Sequence, residues 1–262
     1  MNILEEIIAN KAIEVAQQKK RVSIDELITS ENFGRKTLSL KNNLQKSDTG
    51  IIAEFKRKSP SKGWIHAGAQ AGVIPAGYCA AGASGISILT DYKYFGGSSG
   101  DIITARPLVT CPILRKEFVT DEYQIYEAKS LGADLILLIA AALSVKQCKE
   151  LAQKARELGL EVLLEVHNEN ELNHANEFVD MLGVNNRNLK TFVTGVQPSF
   201  DLANKIPADF VKVSESGIST PQTVIDLRAA GYRGFLMGEI FMKESDPALA
   251  LKDFCEAVVK KG

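Results

Sequence analysis

Glu54 and Lys56 stand two residues apart where an apolar run turns into a cluster of charge, Ile51-Ile52-Ala53-Glu54-Phe55-Lys56-Arg57-Lys58-Ser59-Pro60-Ser61. On a β-strand, side chains two apart share a face, so Ile52, Glu54 and Lys56 point one way and Ile51, Ala53 and Phe55 the other. Burying either charge alone is costly, so the two form a structural ion pair or one half of an acid–base site. The run by itself leaves both readings open. Further along the chain, similar runs end in Lys116 (Ile113-Leu114-Arg115-Lys116-Glu117-Phe118), Glu165 (Val162-Leu163-Leu164-Glu165-Val166-His167), Asn185 with Arg187, and Glu215. A single lysine or glutamate at a strand end is usually structural. Five such groups brought to one place would couple their titrations and drive their pKa values apart, the condition that acid–base catalysis exploits.

The last two runs add an anion site. Ser216-Gly217, followed by a helix start at Thr220, and Gly238 with Glu239 suit a cradle of backbone N–H groups for a phosphate. Glycine matters there because a side chain would hold the anion away from the backbone. Arg57, Ser59 and Arg187 are candidates to complete the shell from neighbouring loops. His66 and His174 read as solvated. His167 follows Glu165 by two on the same face, so it is either a neighbour of the site or a plain loop residue. Trp64 and Phe95 sit in loops, where they either pack or cover an aromatic substrate.

The elements that must position these groups alternate along the chain. Strand candidates are Ile51–Phe55, Gly85–Thr90, Pro112–Phe118, Asp134–Ile139, Glu161–Val166, Met181–Asn185, Phe210–Ser214 and Gly234–Met237. Amphipathic stretches such as Asp121–Leu131, Ser144–Leu158 and Thr220–Ala230 lie between them, with Thr220-Pro221 as a start signal and Gly159 and Gly231 as stops. Strands that alternate with helices imply a parallel sheet, and eight units suit a closed (β/α)8 TIM barrel. No GxGxxG follows the first strand, which removes the usual reason to prefer a Rossmann fold. In such a barrel the strand C-termini meet at one mouth, where the charged groups above would gather. The expected organisation is a single domain over residues 1–262, with residues 1–48 as an N-terminal helical extension. Its first helix runs from Ile3 to about Lys20, and shorter pieces cover Ile24–Thr29 and Leu38–Leu44.

Composition narrows the class. A formal net charge of −1, without basic or acidic blocks, makes nucleic acid and anionic membrane poor partners. No apolar stretch is long enough to span a bilayer, and the acidic start Met1-Asn2-Ile3-Leu4-Glu5-Glu6 does not resemble a signal peptide. Four scattered cysteines, without a CxxC pair, and three histidines offer neither a zinc site nor a disulfide framework. The cysteines read as small hydrophobes in a reducing cytoplasm.

Across nearly its whole length the chain resembles the indole-3-glycerol phosphate synthase family of tryptophan biosynthesis. The resemblance is carried by Ala53-Glu54-Phe55-Lys56-Arg57-Lys58-Ser59-Pro60-Ser61-Lys62-Gly63, Ile88-Leu89-Thr90-Asp91 with Phe95-Gly96-Gly97-Ser98, and Pro112 to Phe118. Leu164-Glu165-Val166-His167, Gly183-Val184-Asn185-Asn186-Arg187-Asn188-Leu189 and Ser214-Glu215-Ser216-Gly217-Ile218 complete it. It implies a cofactor-independent carboxy-lyase that closes an anthranilate-derived ribulose phosphate into an indole, losing CO2 and water. By the same resemblance, Lys116 is the acid at the ketone and Lys56 meets the substrate carboxylate. Glu165 and Glu54 serve the proton transfers of dehydration, and Asn185 and Glu215 orient hydroxyls and lysines. Phe95, Phe118 and Leu189 line the aromatic pocket. The N-terminal helices match an extension that helps close the site in the family. A small phosphorylated substrate, no metal, no fused second barrel and a monomer or weak homodimer are the corresponding expectations. One position departs from the commoner pattern. Gly238 is followed by Glu239 where many relatives carry Ser or Thr, so Glu239 is expected to offer only its N–H, with its carboxylate turned away or paired to a cation.

Two other activities compete for the same features. Phosphoribosylanthranilate isomerase, another phosphate-binding barrel, would require a Cys/Asp pair at strand ends, and no cysteine sits at one. A silent barrel that binds a sugar phosphate as regulator or scaffold would need the cradle but not Lys56, Lys116 and Glu165.

Overall fold

The computed structural model describes residues 3–188 and 191–261. Eight parallel strands close a barrel: β1 (Ile51–Phe55), β2 (Gly85–Leu89), β3 (Ile113–Lys116), β4 (Leu135–Ile139), β5 (Glu161–Val166), β6 (Met181–Asn185), β7 (Val211–Glu215) and β8 (Gly234–Met237). Each strand pairs with the next, and β8 returns to β1. The runs are rich in Val, Ile and Leu because both faces are buried. Ile51, Ala53 and Phe55 pack outward among the helices. Ile52, Leu114, Leu137, Leu163, Val213 and Leu236 fill the interior.

The register carries the chemistry to one level. Leu89 lies opposite Lys116, Ile139 opposite Glu165, Glu165 opposite Gly183, and Asn185 opposite Glu215. Since inward side chains alternate along each strand, these pairings place Lys116, Glu165, Asn185 and Glu215 in the topmost inward layer.

Strand boundaries differ from expectation mainly in β3 and β7. β3 stops at Lys116 because Glu117 turns to accept hydrogen bonds from Thr90 Oγ1 at 2.7 Å and from the N–H of Phe118 at 2.9 Å. β7 runs one residue further than predicted, since the Glu215 carbonyl still accepts from the N–H of Asn186 at 2.9 Å. The predicted stops hold: Gly159 (φ 73°) and Gly231 (φ 96°) leave their helices in the left-handed conformation.

Among the described residues, three helices precede the barrel: α1 (Ile3–Arg21), α2 (Ile24–Ile28) and α3 (Leu40–Lys46). α3 plugs the barrel floor. Leu40 and Leu44 are fully buried in the interior cluster. Glycines that open β2 and β8 make room for them, as a Cβ on Gly85 would lie 2.5 Å from Leu40 Cδ1 and one on Gly234 2.9 Å from Leu44 Cδ1. α1 lies at the opposite end, where Ile3, Leu4 and Ile7 reach the mouth. No helix of the described residues is long and apolar enough to cross a membrane.

Candidate active site

Lys116 is the centre of the mouth. Its ammonium donates to Glu215 Oε2 at 2.6 Å and to Glu165 Oε2 at 3.1 Å. Glu165 Oε1 accepts from Asn185 Nδ2 at 3.0 Å. Lys56 donates to Glu54 on the other side of the opening. All six groups line one cavity of about 520 Å³, with Phe95 and Phe118 on its apolar wall and their ring centroids 6.1 Å apart.

Burial and mutual charge set the protonation states. Burial disfavours the Lys116 ammonium, yet Glu215, Glu165 and Glu54 together outweigh it and hold its pKa above the ordinary value. Burial likewise opposes the Glu165 carboxylate, but Lys116, His167 and the Asn185 hydrogen bond keep it well below the usual range. Glu54 is lowered in the same way against burial, by Lys56 and Lys116. Glu215 goes the other way. Burial, helped by the charges of Glu165 and Glu54, overcomes Lys116 and pushes it up to about 7. Its Oε1 is buried with no hydrogen-bond partner among the described residues. A site that holds one carboxylate ionised and a second near neutrality can both accept and donate protons.

The residues expected to cradle an anion line the same cavity. Ser216 (φ 66°) and Gly217 (φ 74°) are both left-handed, a turn that bares successive N–H groups before the helix capped by Thr220. Gly238 needs no special φ; glycine is required because a Cβ would sit 2.7 Å from Glu54 Oε1. Arg187 donates to Ser61 Oγ at 2.9 Å, and its Nε is buried without a partner among the described residues. The Glu239 carboxylate stands 3.8 Å from Lys62 Nζ and 3.9 Å from Arg187 Nη2.

Two expected anion ligands lie elsewhere. Arg57 continues the outward face of β1 after Phe55 and does not reach the mouth. It makes paired hydrogen bonds to Asp101 at 2.6 and 2.9 Å and sits 4.8 Å over the Phe55 ring. The alternation that sends Glu54 and Lys56 inward sends Arg57 outward. Ser59 is buried, its hydroxyl accepting from the N–H of Lys62 at 3.2 Å, so it braces the loop that carries Lys62. Leu189 lies outside the described residues. Trp64, 60% exposed, stacks against Gly96 rather than lining the cavity.

The histidines also differ from expectation. His66 faces the carbonyl of Met242 at 3.1 Å and His174 that of Leu143 at 2.9 Å, so both are tied to backbone rather than solvated. His167 stands beside Glu165 at 3.4 Å. Sequence reasoning missed Lys11, which falls between Ile7 and Val15 on the buried face of α1 and meets Asp91 and Glu117. The signal was present: a lysine interrupting an i, i+4, i+8 buried stripe demands a partner.

An acid–base enzyme acting on a phosphorylated small molecule is the class that this mouth fits. The chain belongs to the indole-3-glycerol phosphate synthase family, which it matches over residues 4–254. It is 57% identical over 257 residues to the indole-3-glycerol phosphate synthase of Bacteroides thetaiotaomicron, covering 98% of this chain and 99% of that one. The counterpart from Magnetococcus marinus is 44% identical, covering 96% and 97%. Enzymes of this family are decarboxylating lyases of tryptophan biosynthesis, and this chain is one of them. Among solved structures, 3-hexulose-6-phosphate synthase from Salmonella typhimurium shares the fold, with a TM-score of 0.60 at 16% identity over 81% of this chain and 100% of that one.

Proposed function

We propose that the chain converts 1-(2-carboxyphenylamino)-1-deoxy-D-ribulose 5-phosphate into indole-3-glycerol phosphate, CO2 and water, with its own side chains as the only catalysts. The observation that carries the reading is Lys116, a buried ammonium held between Glu165 and Glu215 at the cavity's centre. As the aromatic carbon attacks the ketone, Lys116 gives its proton to the developing alkoxide. Lys56 meets the substrate carboxylate, whose departure as CO2 returns the bonding electrons to the ring. Glu165 and Glu54 then move the protons that release the former ketone oxygen as water. Asn185 and Glu215 orient the sugar hydroxyls, and Phe95 and Phe118 flank the anthranilate ring. The backbone of Ser216, Gly217, Gly238 and Glu239, with Arg187 and Lys62, receives the phosphate.

A closed barrel whose mouth is lined by its own first helix supports one catalytic unit over residues 1–262, and a monomer or weak homodimer is the assembly proposed with it. Free thiols at Cys79, Cys111, Cys148 and Cys255 suit the cytoplasm. Indole fluorescence after adding the carboxyphenylamino-deoxyribulose phosphate tests the activity, and an inert wild-type chain would sink it. Lys116→Ala should abolish turnover while leaving substrate binding largely intact, because the lysine acts mainly in the transition state. An equal loss of binding would recast it as an anchor.

A further inference from the structure

We propose that His167 is a positioning residue for this reaction: as an imidazolium bridging Glu165 and Glu171, it holds Glu165 ionised and aimed at Lys116. The inference rests on the proton-transfer role given to Glu165 above. His167 leaves the end of β5 two residues after Glu165 and therefore shares its face. Its Nε2 is 3.4 Å from Glu165 Oε1 and its Nδ1 3.3 Å from Glu171 Oε2. Glu171 is itself fixed, accepting from the His167 backbone N–H at 2.7 Å and from Asn168 Nδ2 at 2.7 Å.

A neutral imidazole has one N–H and so can serve one of these carboxylates, leaving a lone pair facing the other. The cation keeps the Nδ1 hydrogen bond to Glu171 and turns a charged Nε2–H, rather than a lone pair, toward Glu165. The side chain is 14% exposed, and Nε2 is buried without a hydrogen-bond partner among the described residues, which leaves its charge to act on Glu165 through a short ion pair. The charged groups around the ring are Glu165 of β5, Glu171 of the turn after it and Glu215 of β7, with Lys116 of β3 beyond Glu165. Burial disfavours the cation, but Glu171, Glu165 and Glu215 overcome it and raise the imidazole above its ordinary 6.5. His167 does not line the cavity, so it acts through Glu165. That carboxylate is then held on both edges, Oε2 by Lys116 and Oε1 by Asn185, with the His167 charge beside Oε1.

The test uses the full chain with two variants, His167→Asn and Glu171→Gln. The chain has three histidines, so the imidazole signals in NMR can be assigned by single substitutions. His167 should titrate above the ordinary imidazole value, and Glu171→Gln should lower its midpoint. In His167→Asn the acid limb of the kcat profile should move up by roughly one pH unit, since an adjacent opposite charge lowers a carboxyl by about that much or more. Below both limbs this is about a tenfold loss, while KM and the alkaline plateau hold. Glu171→Gln should shift the limb the same way by less. An imidazole that titrates at or below the ordinary value, or a limb unmoved in both variants, overturns the proposal. Wild-type turnover in the same assay tests the ring-closure reading separately, and the NMR titration decides on His167 whatever that outcome.

Discussion

Lys11, on the first N-terminal helix, lies 3.1 Å from Glu117, the residue that follows the central Lys116. The same ammonium is 3.0 Å from Asp91, at the end of β2, and 2.6 Å from Glu14 on its own helix. Lys11 is only 4% exposed, and Asp91 is fully buried. Burial opposes its charge, but Glu117 and Asp91 outweigh that and hold its pKa above normal. The extension is therefore bolted to the barrel by charge at the point where β3 turns Phe118 and Lys116 into the cavity. The same helix contributes Ile3, Leu4 and Ile7 to the cavity wall. A helix that covers the mouth is thus anchored from within it.

Lys11→Met should cost about 3–5 kcal/mol, because it leaves two buried carboxylates without their cation. Urea unfolding would measure this, with KM rising as the helix loosens from the cavity. Lys11→Met with Glu117→Gln should recover part of the loss, since one stranded charge is gone. If the single variant matched wild type in both stability and KM, the anchor would be decorative.

How far the chain was legible in advance follows from what each residue depends on. Glu54, Lys56, Lys116, Glu165, Asn185 and Glu215 could be read because strand alternation is local and the barrel sends all strand ends to one place. Four strands match their predicted bounds to the residue, β1, β5, β6 and β8. Arg57 was misjudged even though the same alternation points it outward, because a basic residue beside a charge cluster invites an anion. Asp101, which claims it, lies 44 positions away. Lys11 depends on Asp91 and Glu117, partners that only the tertiary fold supplies. Gly238 reads as a backbone feature, yet the atoms it accommodates belong to Glu54, just as Gly183 accommodates those of Glu215.

Gly183→Ala should lower kcat by roughly a hundredfold with the fold intact, since misplacing a catalytic group by about 1 Å costs that much. The backbone at Gly183 asks for no special conformation. An added Cβ would lie 2.3 Å from Glu215 Oε1 and 3.2 Å from Leu163 Cδ1, so Glu215 must give way and drag on Lys116. Steady-state kinetics alongside circular dichroism would separate a displaced carboxylate from an unfolded barrel. Unchanged kcat would show that Glu215 has slack.

Stability should fall as pH rises from about 5 to about 8, against the habit of acid-labile proteins. Glu54, Glu117 and Glu165 have lowered folded pKa values, so their stabilisation is present above 4.5 and is lost only as pH falls further. Glu215 is raised from 4.5 to about 7, so its penalty is absent below 4.5 and complete above 7. His167 is raised from 6.5, so its contribution is full below that value and disappears as pH climbs through the folded one. Both work in the same direction, on the order of a few kcal/mol together. Glu215→Gln should flatten the lower part of the slope and His167→Asn the upper part, as read by urea midpoints across the range. A wild-type curve that rises to pH 8 would refute this account of the buried charges.

Glu239→Ser should tighten phosphate binding. The carboxylate is 40% exposed and sits between Lys62 and Arg187, so in the free chain it occupies the field of the two cations that the proposed reaction gives to the phosphate. Substrate phosphate must displace it or tolerate its charge. Removing it frees both cations and one repulsion, which should lower KM and the inhibition constant for inorganic phosphate by roughly three- to tenfold at low salt. The gain should shrink as ionic strength rises, since the pair is near the surface and screened. Competition by inorganic phosphate at two salt concentrations measures both effects. A weaker phosphate constant in Glu239→Ser would mean that the carboxylate holds Arg187 and Lys62 in their binding positions, and that its place beside the cradle is supportive rather than competitive.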